Sequence, residues 1–507
     1  MNYTKTGFSY ILWGIYTLLI CTLLTLGVMG ITADIGMMNM PYRILSAGIF
    51  FLLLFGISAL CYSLFGQFLC KKRFYSPDWT SIELIAVTTV FLFMLAFDIK
   101  NIMFSIVSET SILTGDSRYF TTAMLTEENT GIVWMAHGAS YVFTVLLRGM
   151  CMLFGNIDMA VVLLQVILQL IAVAYAYFAV RNLLGRLAAF VTVIAMAVIP
   201  VFTDKLSNQT AEMVLLCSVT VVLFYLSLLI KLINRAKIKK FAWSIAFLCY
   251  GILLAGCIYL DAVGLVMLLV SVAAILMLRR TKTDEEVRKP LICNRAIQVL
   301  FVIIGACAGV AGMCGARAYL MQMSYSQAFF EYVNIYVTNW QGLEGLAYFI
   351  QDMKEPLHAV AYFLAAFLIA GFWFVKQDKT SLVILYFVGT TVLQFVEHDG
   401  VLYDSVSKFG IVLLVAMAIQ MISDYRIQKY ELAEMEEAEQ EVDAEVTSNQ
   451  EEAGLESIER EQQAVSENKT AEIQFIENPL PLPKKHVPKT MDYDIEVDDN
   501  DDYDLQD

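Results

Sequence analysis

Charge is scarce in this chain: Asp, Glu, Lys and Arg make up 16% of its 507 residues. An ordinary soluble domain carries about a quarter. So few charges cannot clothe a water-facing surface of this size, and a wholly soluble globular protein is excluded. Proline is scarce too, with nine residues, which leaves long stretches that nothing breaks. The ten cysteines show no metal-ligand spacing. Most sit inside apolar runs (Cys21, Cys61, Cys217, Cys249, Cys257, Cys307) and read as small core residues, so no disulfide framework is implied. No nucleic-acid partner is expected.

What the chain has is apolar length. Hydrophobic residues make up 58% of it, the mean hydropathy is +0.63, and apolar runs of about 20 residues recur from Phe8 to Ile422. Each can cross a hydrocarbon core of about 30 Å as a helix. Within that core only helices or closed barrels satisfy their backbone groups, and continuous apolar runs mean helices. The run Tyr10 to Gly30 is too long for a signal-peptide core and lacks a small-residue cleavage site, so it reads as a retained span.

The net charge of −15 joins two unlike parts. Residues 430–507 hold 25 acids and 5 bases, whereas the remainder holds 24 acids and 29 bases. A mildly basic membrane body therefore carries an acidic tail. The tail is Glu- and Gln-rich to Glu477, then reads Asn478-Pro479-Leu480-Pro481-Leu482-Pro483-Lys484-Lys485-His486, and ends in Asp-dominated sequence. Such composition cannot offset its ordering entropy, and a disordered cytoplasmic tail is expected over 425–507. Its Pro-Leu-Pro-Leu-Pro run favours polyproline II and offers a ligand for a cytoplasmic partner; the adjacent bases suit anionic lipid. A tail that only solubilises explains the same residues.

Basic residues cluster in short loops: Lys71-Lys72-Arg73, Arg181 with Arg186, Lys231 to Lys240, Arg279 to Lys289, Lys376 with Lys379, and Arg426 with Lys429. The positive-inside rule places all six in the cytoplasm and requires an even number of crossings between them. Tyr141 to Phe154 is apolar but short, with Arg148 at its middle. Counting it as a crossing inverts the later loops, so it reads as an in-plane juxtamembrane helix on the outer face. About twelve spans remain: 8–32, 44–69, 82–106, 157–180, 187–203, 211–231, 241–258, 262–278, 297–317, 356–375, 381–396 and 404–424. The expectation is an all-α polytopic membrane protein with both termini cytoplasmic. Residues 1–81 supply two spans, 82–424 the main membrane domain with outer loops 107–156 and 318–355, and the tail follows.

Ionisable residues gather at the outer side: His137, His358, His398, Glu109, Asp116, Arg118, Asp204, Lys205, Glu212, Asp261, Arg317, Lys354, Asp404 and Lys408. At membrane depth such groups mark a functional cavity. Any one of them alone also fits a charge resting in the headgroup zone. Aromatics between Tyr319 and Tyr348 suit sugar stacking, and an interfacial aromatic belt explains them equally.

The first outer segment runs Ser108-Glu109-Thr110-Ser111-Ile112-Leu113-Thr114-Gly115-Asp116-Ser117-Arg118-Tyr119-Phe120. Here the chain resembles the GT-C glycosyltransferases, in particular the protein O-mannosyltransferase-like group (family 39-like). Asp116 with Tyr119 is similar to that group's first-loop Asp and aromatic. Trp134-Met135-Ala136-His137-Gly138 with Tyr141, then Leu153-Phe154-Gly155, Arg181 to Arg186, and Glu212-Met213-Val214-Leu215-Leu216 follow in the family's order. The resemblance covers 82 to about 280. Ser117 stands where the family has a second acid, Glu212 where Asp is common, a Lys-Pro-Pro element is missing, and two extra spans precede the family's first.

The resemblance implies a GT-C-like core, a membrane location (a bacterial plasma membrane is suggested), and a polyprenyl-phosphate-linked sugar as donor. It makes Asp116 the candidate general base, with burial at the membrane boundary moving its pKa towards a useful range. Glu212 is the second candidate, orienting the acceptor or holding a divalent metal with Asp116; capping the following helix explains it as well. Tyr119, His137, Tyr141, Arg317 and Lys408 are candidate substrate contacts, the cations for phosphate. A transporter or lipid flippase, or a noncatalytic GT-C-like scaffold, remain the rival readings.

Overall fold

The computed structural model describes residues 7–34, 39–46, parts of 48–60, 79–107, 138–155, 157–203, 211–233, 240–277, 291–320, 322–338, 378–396, 405–421 and 423. All lie in the unit 2–425. The expected tail falls outside the described residues.

Every regular element described is a helix: α1 (Gly7–Asp34), α2 (Trp79–Val107), α3 (Gly138–Phe154), α4 (Ile157–Leu183), α5 (Arg186–Val198), α6 (Glu212–Ile233), α7 (Lys240–Leu260), α8 (Val263–Met277), α9 (Leu291–Leu320), α10 (Tyr325–Thr338), α11 (Asp378–Val396) and α12 (Ser405–Met421). Three of them contain segments long and apolar enough to span a bilayer: Met159–Leu183, Glu212–Lys231 and Arg295–Tyr319. Shorter apolar helices accompany them, among them Ser244–Leu260, Thr380–Val396 and Ser405–Met421.

Helices overrun the apolar runs that announce them, because backbone hydrogen bonding does not stop where hydropathy does. α9 begins at Leu291, six residues before its expected start. Arg295 is tolerated there because Nη1 donates to the carbonyls of Ile275 (3.0 Å) and Leu276 (3.3 Å) at the end of α8. The expected span 187–203 is interrupted instead. Pro200 cannot follow a helical residue, so Ile199 turns extended (φ −75°, ψ 123°) and a single turn, Pro200–Thr203, completes the segment.

α4 and α6 form the centre, flanked by α5, α7 and α3. The closest seam joins α7 to α9. A Cβ at Gly251 would stand 2.9 Å from the Gly305 Cα, and one on Gly305 would stand 3.1 Å from the Gly251 Cα. Small residues let the backbones approach here, which is how membrane helices gain contact when lipid supplies no hydrophobic drive. α1 packs on α11, with Tyr16 edge-on to Phe387 (6.0 Å) and Ser9 hydrogen-bonded to Ser381. The N-terminal helix is thereby part of the same bundle.

Two ends emerge. At one, Glu83 of α2 accepts the Tyr177 hydroxyl (2.7 Å) and pairs with Arg181 (3.4 Å) and Arg186 (3.9 Å). There too Gln420 accepts the Ala188 amide (3.1 Å), capping α5. Gly185 makes room for that side chain: it is left-handed (φ 144°), and a Cβ would meet Gln420 Cδ at 2.7 Å. Helix direction puts Glu212, the α7–α8 turn and Ser405 at the opposite end.

Candidate functional site

The Glu212 end gathers the termini of several helices. Glu212 opens α6 and is fully buried (0% exposed). Its Oε1 accepts the backbone N–H of Ser405, the first residue of α12. The carboxylate thus caps a helix other than its own, where a negative charge meets the positive end of the helix dipole. Glu212 also stands in the first turn of α6, so one carboxylate serves its own helix end and a second one nearly two hundred residues away.

The opening of α12 is held from a second side. The Tyr386 hydroxyl donates to the Val406 carbonyl (3.1 Å), and its ring meets Phe409 edge-on at 6.1 Å. Lys408 lies one turn in from Ser405, on the same helix face by its i+3 spacing, and is 7% exposed.

Next to this lies the α7–α8 turn. The Asp261 carbonyl accepts the Gly264 amide (2.9 Å), and the carboxylate is 3% exposed. Tyr259 stacks on Tyr332 of α10 (5.1 Å, 11° between planes), and the Tyr332 hydroxyl donates to the Ile258 carbonyl (2.8 Å). Arg317, buried near the end of α9, pairs through Nη2 with Glu331 of α10 at 3.5 Å. The start of α3 touches the same turn, since a Cβ on Gly138 would collide with the Tyr259 carbonyl.

Of the candidate residues, Glu212 and Lys408 share the opening of α12, and Arg317 stands at the α9–α10 junction. Tyr141 lies in α3, with its side chain outside what is described. Asp116, Tyr119 and His137 lie outside the described residues, as do Glu109, Arg118, Asp204, Lys205, Lys354, His358, His398 and Asp404. α3 itself follows the expected 141–154 segment closely. It buries one stripe against the bundle (Ala139, Phe143, Leu147) and leaves Met152, Leu153 and Phe154 exposed.

Other buried polar groups had no signal in the sequence. Ser405 and Tyr386 are ordinary residues of apolar segments until the fold brings them to Glu212 and Val406. Asp98 is 1% exposed inside α2, and Gln169 is 2% exposed inside α4. One Asp98 carboxyl oxygen and both Gln169 amide atoms have no hydrogen-bond partner among the described residues. Among those residues no group of three His, Cys, Asp or Glu gathers as a metal site.

Residues 139–305 match the sequence model of the dolichyl-phosphate-mannose-protein mannosyltransferase family. The matched third runs from the start of α3 to the middle of α9 and contains Tyr141, Glu212 and Asp261. No curated protein matches the chain. Among solved structures it is similar to the Archaeoglobus fulgidus oligosaccharyltransferase, a complex with Zn and sulfate, at a TM-score of 0.32 and 11% identity. The alignment covers 59% of this chain and 42% of that one, so the chain spans less than half of that protein.

Proposed function

We propose that this GT-C-like protein transfers a sugar from a polyprenyl-phosphate donor to an acceptor on the extracytoplasmic face of a plasma membrane. About twelve spans would carry the chain, with both termini cytoplasmic and the Glu212 end outermost. The observation that carries this reading is the family match over 139–305. The buried polar residues at the Glu212 end of the same helices support it.

The chemistry needs a base to take the acceptor hydroxyl's proton and cations to receive charge on the departing phosphate. Asp116 is assigned the first role. Lys408, Arg317 and His137 supply the second, and Tyr119 and Tyr141 line the sugar. Arg317 approaches this work already paired with Glu331, so phosphate would share or displace that partner. A divalent metal held by Asp116 and Glu212 would meet a carboxylate that already spends one oxygen on the Ser405 amide. The described residues do not by themselves fit a metal.

Substituting Asp116→Asn, at matched expression, should lower transfer from a radiolabelled polyprenyl-phosphate sugar about 10²- to 10⁴-fold. Unchanged turnover removes Asp116 as the base. A transporter draws support from buried Asp98 and Gln169 inside the bundle. Sugar found on an acceptor in detergent, where no compartments exist, decides against transport alone.

A further inference from the structure

We propose that Glu212 is a positioning residue: its carboxylate fixes the start of α12 so that Lys408 stands where the donor phosphate binds. This rests on the transferase reading for the identity of the ligand, and it replaces proton transfer or metal binding as the work of Glu212. The argument starts from what holds an isolated helix end in place. The first amides of a helix have no partners within it, so the first turn frays unless something outside accepts them. In α12 the acceptor is Glu212, fully buried and delivered by α6.

The cap acts together with a second restraint. Tyr386 of α11 donates to the Val406 carbonyl, and its ring lies against Gly410, where a Cβ would stand 3.4 Å from it. Two helices thus grip residues 405–410 from different sides. Lys408 sits within that grip, and a lysine has no fixed fork of its own. Four rotatable bonds separate its ammonium from the backbone, so the precision of its placement comes from the backbone below and the packing around its stem. A phosphate ester on a lipid approaches from one direction and demands such placement.

The proposal separates from a catalytic role by chemistry. A base or metal ligand needs the carboxylate charge, whereas a cap needs an oxygen acceptor at the right reach. Gln supplies that oxygen without the charge; Asp keeps the charge and falls short; Ala supplies neither.

The test uses the full chain in lipid nanodiscs, with farnesyl phosphate as the binding probe and a farnesyl-phosphate-linked sugar as the transfer probe. Glu212→Gln should keep farnesyl phosphate affinity and kcat within about threefold of the parent. Glu212→Ala and Glu212→Asp should each weaken the affinity about tenfold, as should Lys408→Ala. Glu212→Ala combined with Lys408→Ala should be no worse than either alone, because both remove one contact. Amide exchange over 405–409 should quicken in Glu212→Ala and stay slow in Glu212→Gln, which reads the cap even where stability falls. A hundredfold loss of kcat in Glu212→Gln, additive losses in the double variant, or unaltered affinity in Lys408→Ala overturns the proposal. A parent protein that binds farnesyl phosphate with this pattern yet transfers no sugar sinks the transferase reading and leaves the positioning role standing.

Discussion

Single residues decide how the two ends of the bundle are tied. Glu83 meets three partners at once, and its side chain is 10% exposed. Removing it by Glu83→Ala leaves the Arg181 and Arg186 charges and the Tyr177 hydroxyl without their acceptor at a half-buried site. Such uncompensated groups cost about 1–3 kcal/mol, and the melting temperature of the purified protein should fall. An unchanged melting curve would show that water serves these groups as well. The sequence made Arg181 and Arg186 visible as an inner-loop cluster, but Glu83 carried no mark beyond its place near the start of a span.

At the scale of helices, the α7–α9 seam gives the sharpest expectation. Gly305→Leu places a branched side chain against the backbone of Leu248 and Gly251, and neither can retreat without parting the helices. Overpacking of this kind costs about 1–3 kcal/mol and often more where backbone is struck. The variant should express poorly or melt early. Gly312, seven residues along the same helix, has nothing within 4 Å of its would-be Cβ. Gly312→Ala should therefore be neutral or slightly stabilising, since alanine is the better helix former. Equal behaviour of the two variants would contradict the seam. Helix existence was legible from the apolar runs, while the seam was not, because α9 is strewn with small residues on every side and only packing selects which ones meet.

For the whole molecule, the polarity of the bundle is the claim to check. Single cysteines replacing Asn182 and Ser324, in a chain whose native cysteines are removed, should react with a membrane-impermeant maleimide from opposite sides of the membrane. Labelling of both from one side would break the even-crossing topology. Removal of residues 432–507 should leave sugar transfer unchanged, since the family match and the Glu212 end lie wholly upstream. Lost transfer in a correctly inserted truncation would give the tail a part in the reaction.

The sequence by itself determined that this is a helical chain with membrane-spanning segments, because apolar length is a one-dimensional quantity. The bilayer reads it segment by segment, without asking what the neighbours do. The sequence also marked Glu212, Arg317 and Lys408 as ionisable residues gathered at the outer side. Which charges meet was left open, since a partner across nearly two hundred residues leaves no trace in local spacing. Only the tertiary structure brought Ser405 to Glu212, Glu331 to Arg317 and Gln420 to the start of α5. Hydrogen bonds are decided at about 3 Å, and that distance is set by helix packing.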